Sequence, residues 1–178
     1  MNQQINIEYF KTAFGELILG SYNNKLCLAD WRYRKMRDRI DSRLKEGLDA
    51  TFIEAGSEVI NNTKEQLNEY FAGKRSTFEI PLLLVGSDFQ KRVWEALLQI
   101  PHGKAETYLG LSKKIGNAKA IRAVASANGA NAISIIVPCH RIIGSDGNLL
   151  GYAGGLHTKM KLLEHENALI KNQMSLFN

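Results

Sequence analysis

The sequence predicts an α/β chain in two parts, a first of strands followed by helices and a second that is mainly helical. Three observations lead there: an alternating, hairpin-forming run over residues 5–30, apolar stripes at helical spacing on both sides of a punctuated stretch ending near Val85, and two short helices separated by Gly116-Asn117. The expected division is a first domain over 1–84, a second over 85–172, and a tail over 173–178.

In the first part, Ile5, Ile7 and Tyr9 alternate with polar neighbours. Residues 14–30 are two apolar runs joined at Asn23-Asn24, a pair that tolerates the positive φ of a tight hairpin. Cys27 falls on the second run, where a small buried hydrophobe is expected. Residues 32–46 predict a helix with Met36, Ile40 and Leu44 on one stripe. Its seven basic residues are interleaved with Asp38, Asp41 and Glu46, the pattern of a solvated face. Another helix starts near Ser57, turns Ile60, Leu67, Tyr70 and Phe71 inward, and stops at Gly73.

In the second part, residues 87–90 open a helix whose Phe89, Val93, Trp94, Leu97 and Leu98 form a core stripe, broken at Pro101-His102-Gly103. Thr107 is the expected cap of a short helix ended by Gly116. Asn117 is the expected cap of the next, ended by Gly129, which completes a helix-turn-helix. That second helix is built from Ala118, Ala120, Ala123, Ala125, Ser126 and Ala127 around Arg122. Side chains this small suit either a helix pressed into a DNA groove or a tightly packed core helix.

Charge is distributed unevenly. Residues 1–86 hold 12 Lys and Arg against 12 Asp and Glu, whereas residues 87–178 hold 11 against 6 and account for the net +5. A basic half suits a polyanion partner, and equally suits plain solubility. No apolar run approaches the roughly 20 residues that cross a bilayer, and the first residues lack the layout of a secretory signal, so a cytoplasmic protein without a membrane partner is expected. With only Cys27 and Cys139, a zinc site of Cys-x-x-Cys pairs is excluded.

The residues that carry chemistry follow ISIIV, which reads as a buried strand. Cys139 needs a base or a positive field to become a thiolate, and His140 and Arg141 are adjacent. Neighbours in an extended strand point to opposite faces, so either the chain turns after Pro138 or a water bridges the imidazole to the sulfur. The imidazole also wants a carboxylate, and the acids beyond it are Asp146, Glu164 and Glu166, the last two on a C-terminal helix.

The string IVPCHRIIG, with RAVASANGAN before it and GYAGG after it, resembles the methylated-DNA–protein-cysteine methyltransferases, the O6-alkylguanine-DNA alkyltransferases, of the bacterial type without a fused regulatory domain. The similarity keeps constant spacing from Phe89 to about Glu166. It implies a ribonuclease-H-like first domain and a winged-helix-like second one. It also implies single-turnover repair of alkylated guanine or thymine in double-stranded DNA, with no cofactor and no metal, by a monomer.

The same resemblance implies residue roles. Cys139 would be the acceptor thiol, His140 its base through a water, Glu166 the carboxylate orienting His140, and Asn131 the brace of the active-site turn. Tyr108 would help turn the nucleotide out and then donate to guanine N3, while Arg122 fills the vacated space. Asn117 and Ser145 would contact phosphates. Tyr152 would wall the base pocket, with main-chain groups of Cys139, Ile142 and Ala153 reading the base edge. Ala132 and Ala118 stand where many members have proline, Leu109 replaces a polar DNA-contacting residue, and the zinc ligands some members carry in the first domain are absent. A non-catalytic DNA-damage binder has no use for Cys139, and a cysteine hydrolase leaves the alanine-rich helix unexplained.

The tail is similar to the peptides by which bacterial replication and repair proteins hold the sliding clamp. Gln173, Met174, Leu176 and Phe177 would dock there; alternatively, Leu176 and Phe177 cover the protein's own core.

Overall fold

The computed structural model describes residues 3–169, and the tail from 173 to 178 lies outside them. The chain forms two compact units. One runs to Ser87 and takes back Ala132–Ile136; the other comprises Asp88–Asn131 and the chain from Val137 onward. The return of 132–136 to the first unit is a feature that a division into consecutive stretches does not contain.

The first unit is built on a four-stranded sheet in the order β3-β2-β1-β4, from β1 (Gln3–Thr12), β2 (Gly15–Tyr22), β3 (Lys25–Trp31) and β4 (Ala50–Glu54). β1, β2 and β3 are antiparallel, and the β2–β3 turn sets Asn23 and Asn24 at φ 47° and 58°, as their hairpin chemistry requires. β4 pairs parallel to β1, so a crossover must join it to the hairpins, and helix α1 (Arg37–Leu48) supplies it. Ile5, Ile7, Ile18, Cys27, Leu28, Ile40, Leu44 and Ala50 form one core with Ala132 of the returning segment. Helix α2 (Glu58–Phe71) is capped by Ser57, whose side chain accepts from the Ile60 amide.

Two expectations fail in this unit. The helix read over 32–46 begins only at Arg37, and Met36 is exposed. The chain turns over 32–36 because buried Asp30 gathers Arg34 at 2.9 Å and Arg37 at 3.0 Å, with Ser134 Oγ donating to its other oxygen at 3.1 Å. The run 133–137 is buried but is no strand: among the described residues its ladder contact is an isolated bridge between Ala29 and Ile133. Ile135 has φ 71°, and the Ile136 amide donates to Ser134 O at 2.9 Å, which makes a γ-turn with a left-handed centre.

The second unit packs helices α3 (Asp88–Leu97), α4 (Tyr108–Lys114) and α5 (Ile121–Gly129) on one another, with Val93, Trp94, Leu97, Leu111, Val124 and Ala127 inside. Trp94 Nε1 donates to Ala127 O at 2.8 Å, pinning α3 to α5. Leu98, read as core, is exposed. Thr107 caps α4 through the Gly110 amide, and Gly116 ends the turn at φ 81°. Asn117 does not cap α5: the helix starts four residues later behind Ala120, whose amide donates to the Asn117 carbonyl. β5 (Glu106–Thr107) pairs parallel to β6 (Ile142–Ile143), and α6 (Leu156–His165) closes the described part. Among the described residues no helix is long and apolar enough to cross a membrane.

Candidate active site

The segment from Pro138 to Ile143 makes two tight turns in succession. Pro138 (φ −83°, ψ 62°) centres an inverse γ-turn in which the Cys139 amide donates to Val137 O at 2.8 Å. A 3-10 turn over Cys139–Arg141 follows and is capped by the Ile142 amide on Cys139 O. The chain therefore turns after Pro138, the first of the two expected ways for His140 to escape a strand alternation. Cys139 is 4 % exposed, and His140, Asn131 and Glu166 are buried with it.

Asn131 is tied to the sulfur directly. Its Nδ2 donates to Val137 O at 2.8 Å and to Cys139 Sγ at 3.2 Å, and an amide donor at sulfur favours the ionised form. On the other side of the turn, His140 Nε2 meets Glu166 Oε1 at 2.8 Å. Glu166 is the C-cap of α6, where the helix dipole disfavours a carboxylate. Arg141 offsets this with two parallel bonds, Nε to Oε2 at 2.8 Å and Nη2 to Oε1 at 3.0 Å, while its Nη1 donates to Ile100 O at 2.5 Å. Gly103 keeps this corner open: at φ 80°, a Cβ there would lie 3.2 Å from the Glu166 carbonyl.

These contacts fix the charges. Burial pushes the Glu166 carboxyl up, but the hydrogen bonds and charges of His140 and Arg141 outweigh it and hold it well below the usual range. Burial, with help from the charges of Arg141 and Lys159, holds His140 below its ordinary value despite Glu166. A neutral imidazole beside an ionised carboxylate carries its proton on Nε2, so Nδ1 is the lone-pair nitrogen. That Nδ1 is buried and has no hydrogen-bond partner among the described residues. Tyr108 is held protonated by burial first and by the Cys139 charge second. The Tyr152 ring meets the His140 ring edge-on, with centroids 6.4 Å apart.

The structure thus brings together Cys139, Asn131, His140, Glu166, Tyr108, Ile142 and Tyr152. It leaves Asn117, Arg122 and Ser145 on the exposed surface of the second unit, and Ala153 half-buried. Helix α5 is two-faced: Val124, Ala127 and Asn128 are buried, while Ile121, Arg122, Ala123 and Ser126 are exposed. Two residues escaped the sequence reading. In the sequence Arg141 stands only as a charge next to Cys139; its partnership with Glu166 comes from the fold. Lys159 was not singled out, although 159, 162, 163 and 166 fall at the i, i+3, i+4, i+7 spacing of a buried helix face. Among the described residues no group of three or more His, Cys, Asp or Glu side chains could hold a metal ion.

Comparison with known proteins bears on what such a site does. The family profile of the 6-O-methylguanine DNA methyltransferase ribonuclease-like domain matches residues 5–84, and that of the DNA-binding domain of the same proteins matches 88–168. The chain belongs to the 6-O-methylguanine DNA methyltransferase family. Within this family it is 50% identical over 114 residues to the methylated-DNA–protein-cysteine methyltransferase of Mycobacterium tuberculosis, covering 64% of this chain and 69% of that one. It is likewise 50% identical over 111 residues to the enzyme of that name from Methanosarcina acetivorans, covering 62% and 71%. The Mycobacterium tuberculosis OGT solved in complex with DNA superposes with a TM-score of 0.77 at 37% identity over 92% of both chains.

Proposed function

We propose that this chain repairs alkylated DNA by direct reversal, moving one alkyl group from O6 of guanine, or O4 of thymine, onto Cys139 and remaining alkylated. The observation that carries the reading is the Asn131 amide on Cys139 Sγ, next to an imidazole whose other nitrogen is held by an ionised carboxylate. That is a nucleophile, a base and an orienting group in one buried cluster.

In this reading His140 Nδ1 takes the Cys139 proton through one water, and Glu166 balances the imidazolium across Nε2. The thiolate attacks the alkyl carbon; the S–C bond forms as the C–O bond breaks, and the electron pair leaves with the guanine oxygen. Tyr108 donates its proton to the base at N3 and is restored, through solvent, by the proton held on His140. Thiol and alkyl ether have then become thioether and guanine. A thioether has no carbonyl for water to attack, so nothing regenerates the thiol.

The target base must leave the duplex, at a cost of a few kcal/mol. Arg122, exposed at the start of a helix face of small residues, would fill the vacated space, with Asn117 and Ser145 on phosphates. Tyr152 and the main chain of Cys139, Ile142 and Ala153 would enclose the base. The excess positive charge of residues 87–178 supports double-stranded DNA as partner, as does the DNA-bound relative. The protein would act as a monomer in the cytoplasm. Docking of Gln173, Met174, Leu176 and Phe177 on the sliding clamp is a separate part of the proposal; unchanged clamp pull-down after deletion of 173–178 refutes it.

The experiment for the main reading is intact-mass analysis after mixing with an oligonucleotide bearing O6-methylguanine. One added methyl group on the Cys139 peptide, absent in Cys139→Ser, is expected. An unmodified protein, or repair beyond one lesion per molecule, overturns it.

A further inference from the structure

Residues 132–136 form a strap that belongs to the first unit, while Asn131 before it and Val137 after it belong to the second. Asn131 and Val137 are also the two ends of the turn that carries Cys139, joined through Asn131 Nδ2. Whatever fixes the strap therefore fixes how closely that amide meets the sulfur. Three bonds with β3 do so. The Ala29 amide donates to Ala132 O at 2.9 Å, the Ser134 amide donates to Ala29 O at 2.6 Å, and Ser134 Oγ donates to Asp30 Oδ1 at 3.1 Å. The first two are main-chain bonds; the third depends on the side chains at 30 and 134, both fully buried. The other oxygen of Asp30, Oδ2, accepts from Arg34 and Arg37, and Arg37 Nε is held in turn by Asp41. Desolvation offsets most of the attraction in a buried ion pair, so it adds little stability over apolar side chains of the same volume. What it supplies here is a fixed direction for the remaining oxygen, and that direction is Ser134. Ile135, the next residue, stands at φ 71°, a conformation kept only where the chain on both sides is held.

We infer that Asp30 is a positioning residue for Cys139: clamped by Arg34 and Arg37, it sets Ser134 and, through the strap, the approach of the Asn131 amide to the sulfur. The inference rests on the reading of Cys139 as acceptor. It gives the first unit a part in the reaction without placing any group of its own at the site. When Ser134 is released from Asp30, the strap relaxes and the ends of the turn shift. Asn131 Nδ2 then keeps its shorter bond, 2.8 Å to Val137 O, and gives up the longer one, 3.2 Å to Cys139 Sγ. The thiolate loses a donor, and the sulfur is both harder to ionise and less well placed.

The test measures thiol ionisation without DNA. The rate of Cys139 carbamidomethylation by iodoacetamide is followed against pH in the wild-type protein, Ser134→Ala, Asp30→Asn and Thr63→Ala, with mass mapping to the Cys139 peptide. Cys27 does not interfere, because burial pushes its thiol up to about 12. The ionisable groups about the turn, Tyr108, His140, Arg141, Lys159 and Glu166, are present in every variant. In Ser134→Ala the midpoint of the profile moves to higher pH by roughly half a unit or more, because a hydrogen bond to the charged form is withdrawn. Single-turnover methyl transfer in the same variant slows roughly 10-fold as the nucleophile is misplaced. Asp30→Asn loses stability, since the buried pairing with Arg34 and Arg37 is broken, but its amide still bonds Ser134 Oγ and the midpoint stays at the wild-type value. Thr63→Ala removes another buried hydroxyl of the first unit, one that donates to Val59 O at 2.7 Å. It too loses stability and leaves the midpoint in place. An unmoved midpoint in Ser134→Ala overturns the inference, and so does an equal shift in Asp30→Asn or Thr63→Ala. Where Asp30→Asn does not fold, the other two variants decide. If the profile shifts as expected while lesion DNA leaves Cys139 unmethylated, it is the alkyl-transfer reading that fails, not this one.

Discussion

Asn131 and Cys139 are joined by a single nitrogen. Asn131 Nδ2 donates at once to Val137 O, at 2.8 Å, and to Cys139 Sγ, at 3.2 Å, across the inverse γ-turn that Pro138 centres. The bond that shapes the turn and the bond that polarises the sulfur therefore come from the same amide. Structure and reactivity are coupled here, and a substitution at 131 must affect both.

Asn131→Ala removes one of the two donors on the buried Val137 carbonyl, which keeps the Cys139 amide, so the loss is that of one hydrogen bond, about 0.5–1.5 kcal/mol. It also withdraws a donor from the thiolate, so alkylation of Cys139 slows. Chemical denaturation and single-turnover transfer to the protein measure the two effects. If stability falls while the transfer rate holds, the sulfur contact has no chemical role.

The His140–Glu166 pair sets an acid limit. Both groups are held below their ordinary values in the folded protein. A group with a depressed folded value contributes stability that is fully present above its unfolded value and lost as pH falls through the folded one. The loss therefore begins below about pH 6.5 for the imidazole and below about 4.3 for the carboxyl. Glu166→Gln removes the second contribution, so its thermal midpoint lies under that of the wild type at neutral pH and the two converge on acidification. Midpoints taken from pH 3 to 8 check this, and a gap that stays constant would count against the pairing. The variant also transfers alkyl groups more slowly, by roughly 10²- to 10⁴-fold, because the base is no longer oriented and charge-balanced.

If Arg122 fills the space of the extruded base as proposed, its replacement separates binding chemistry from sulfur chemistry. It is exposed and takes part in no ion pair among the described residues, so Arg122→Ala leaves folding intact. Repair of duplex DNA falls roughly 10- to 100-fold, because a few kcal/mol of unstacking are no longer offset. The iodoacetamide rate at Cys139 stays as it was. Parallel measurement of the two rates decides the matter: equal losses would place Arg122 in the structure of the site instead.

Much of this is legible in the sequence, and the gaps have physical causes. Adjacent residues spell out the nucleophile and base, and Asn23-Asn24 announce the hairpin by their tolerance of positive φ. Glu166 was assigned only through resemblance, since no local pattern says which of three acids reaches His140. Arg141 and Lys159 act through partners distant in sequence, so spacing alone reveals neither bond. Residues 32–36 have good helix propensity, but the bonds of Arg34 and Arg37 back to buried Asp30 override it. β4 was missed because a five-residue edge strand carries too little alternation to stand out. The run 133–137 deceived for a different reason: apolarity reports burial, not conformation.

Ile135 makes that last point measurable. A β-branched residue at φ 71° is strained, and yet the side chain is 1 % exposed. Ile135→Gly sets the two effects against each other. Relief of the backbone returns about 1–3 kcal/mol. Removal of the buried side chain costs at least as much as truncation of isoleucine to alanine, about 2–5 kcal/mol. Packing outweighs strain, so the variant is less stable by roughly 1–3 kcal/mol in urea unfolding. Should it match or exceed the wild type, the γ-turn stores more strain than its buried side chain repays, and the strap would be held in place by the Ser134 bonds to Asp30 and Ala29 instead.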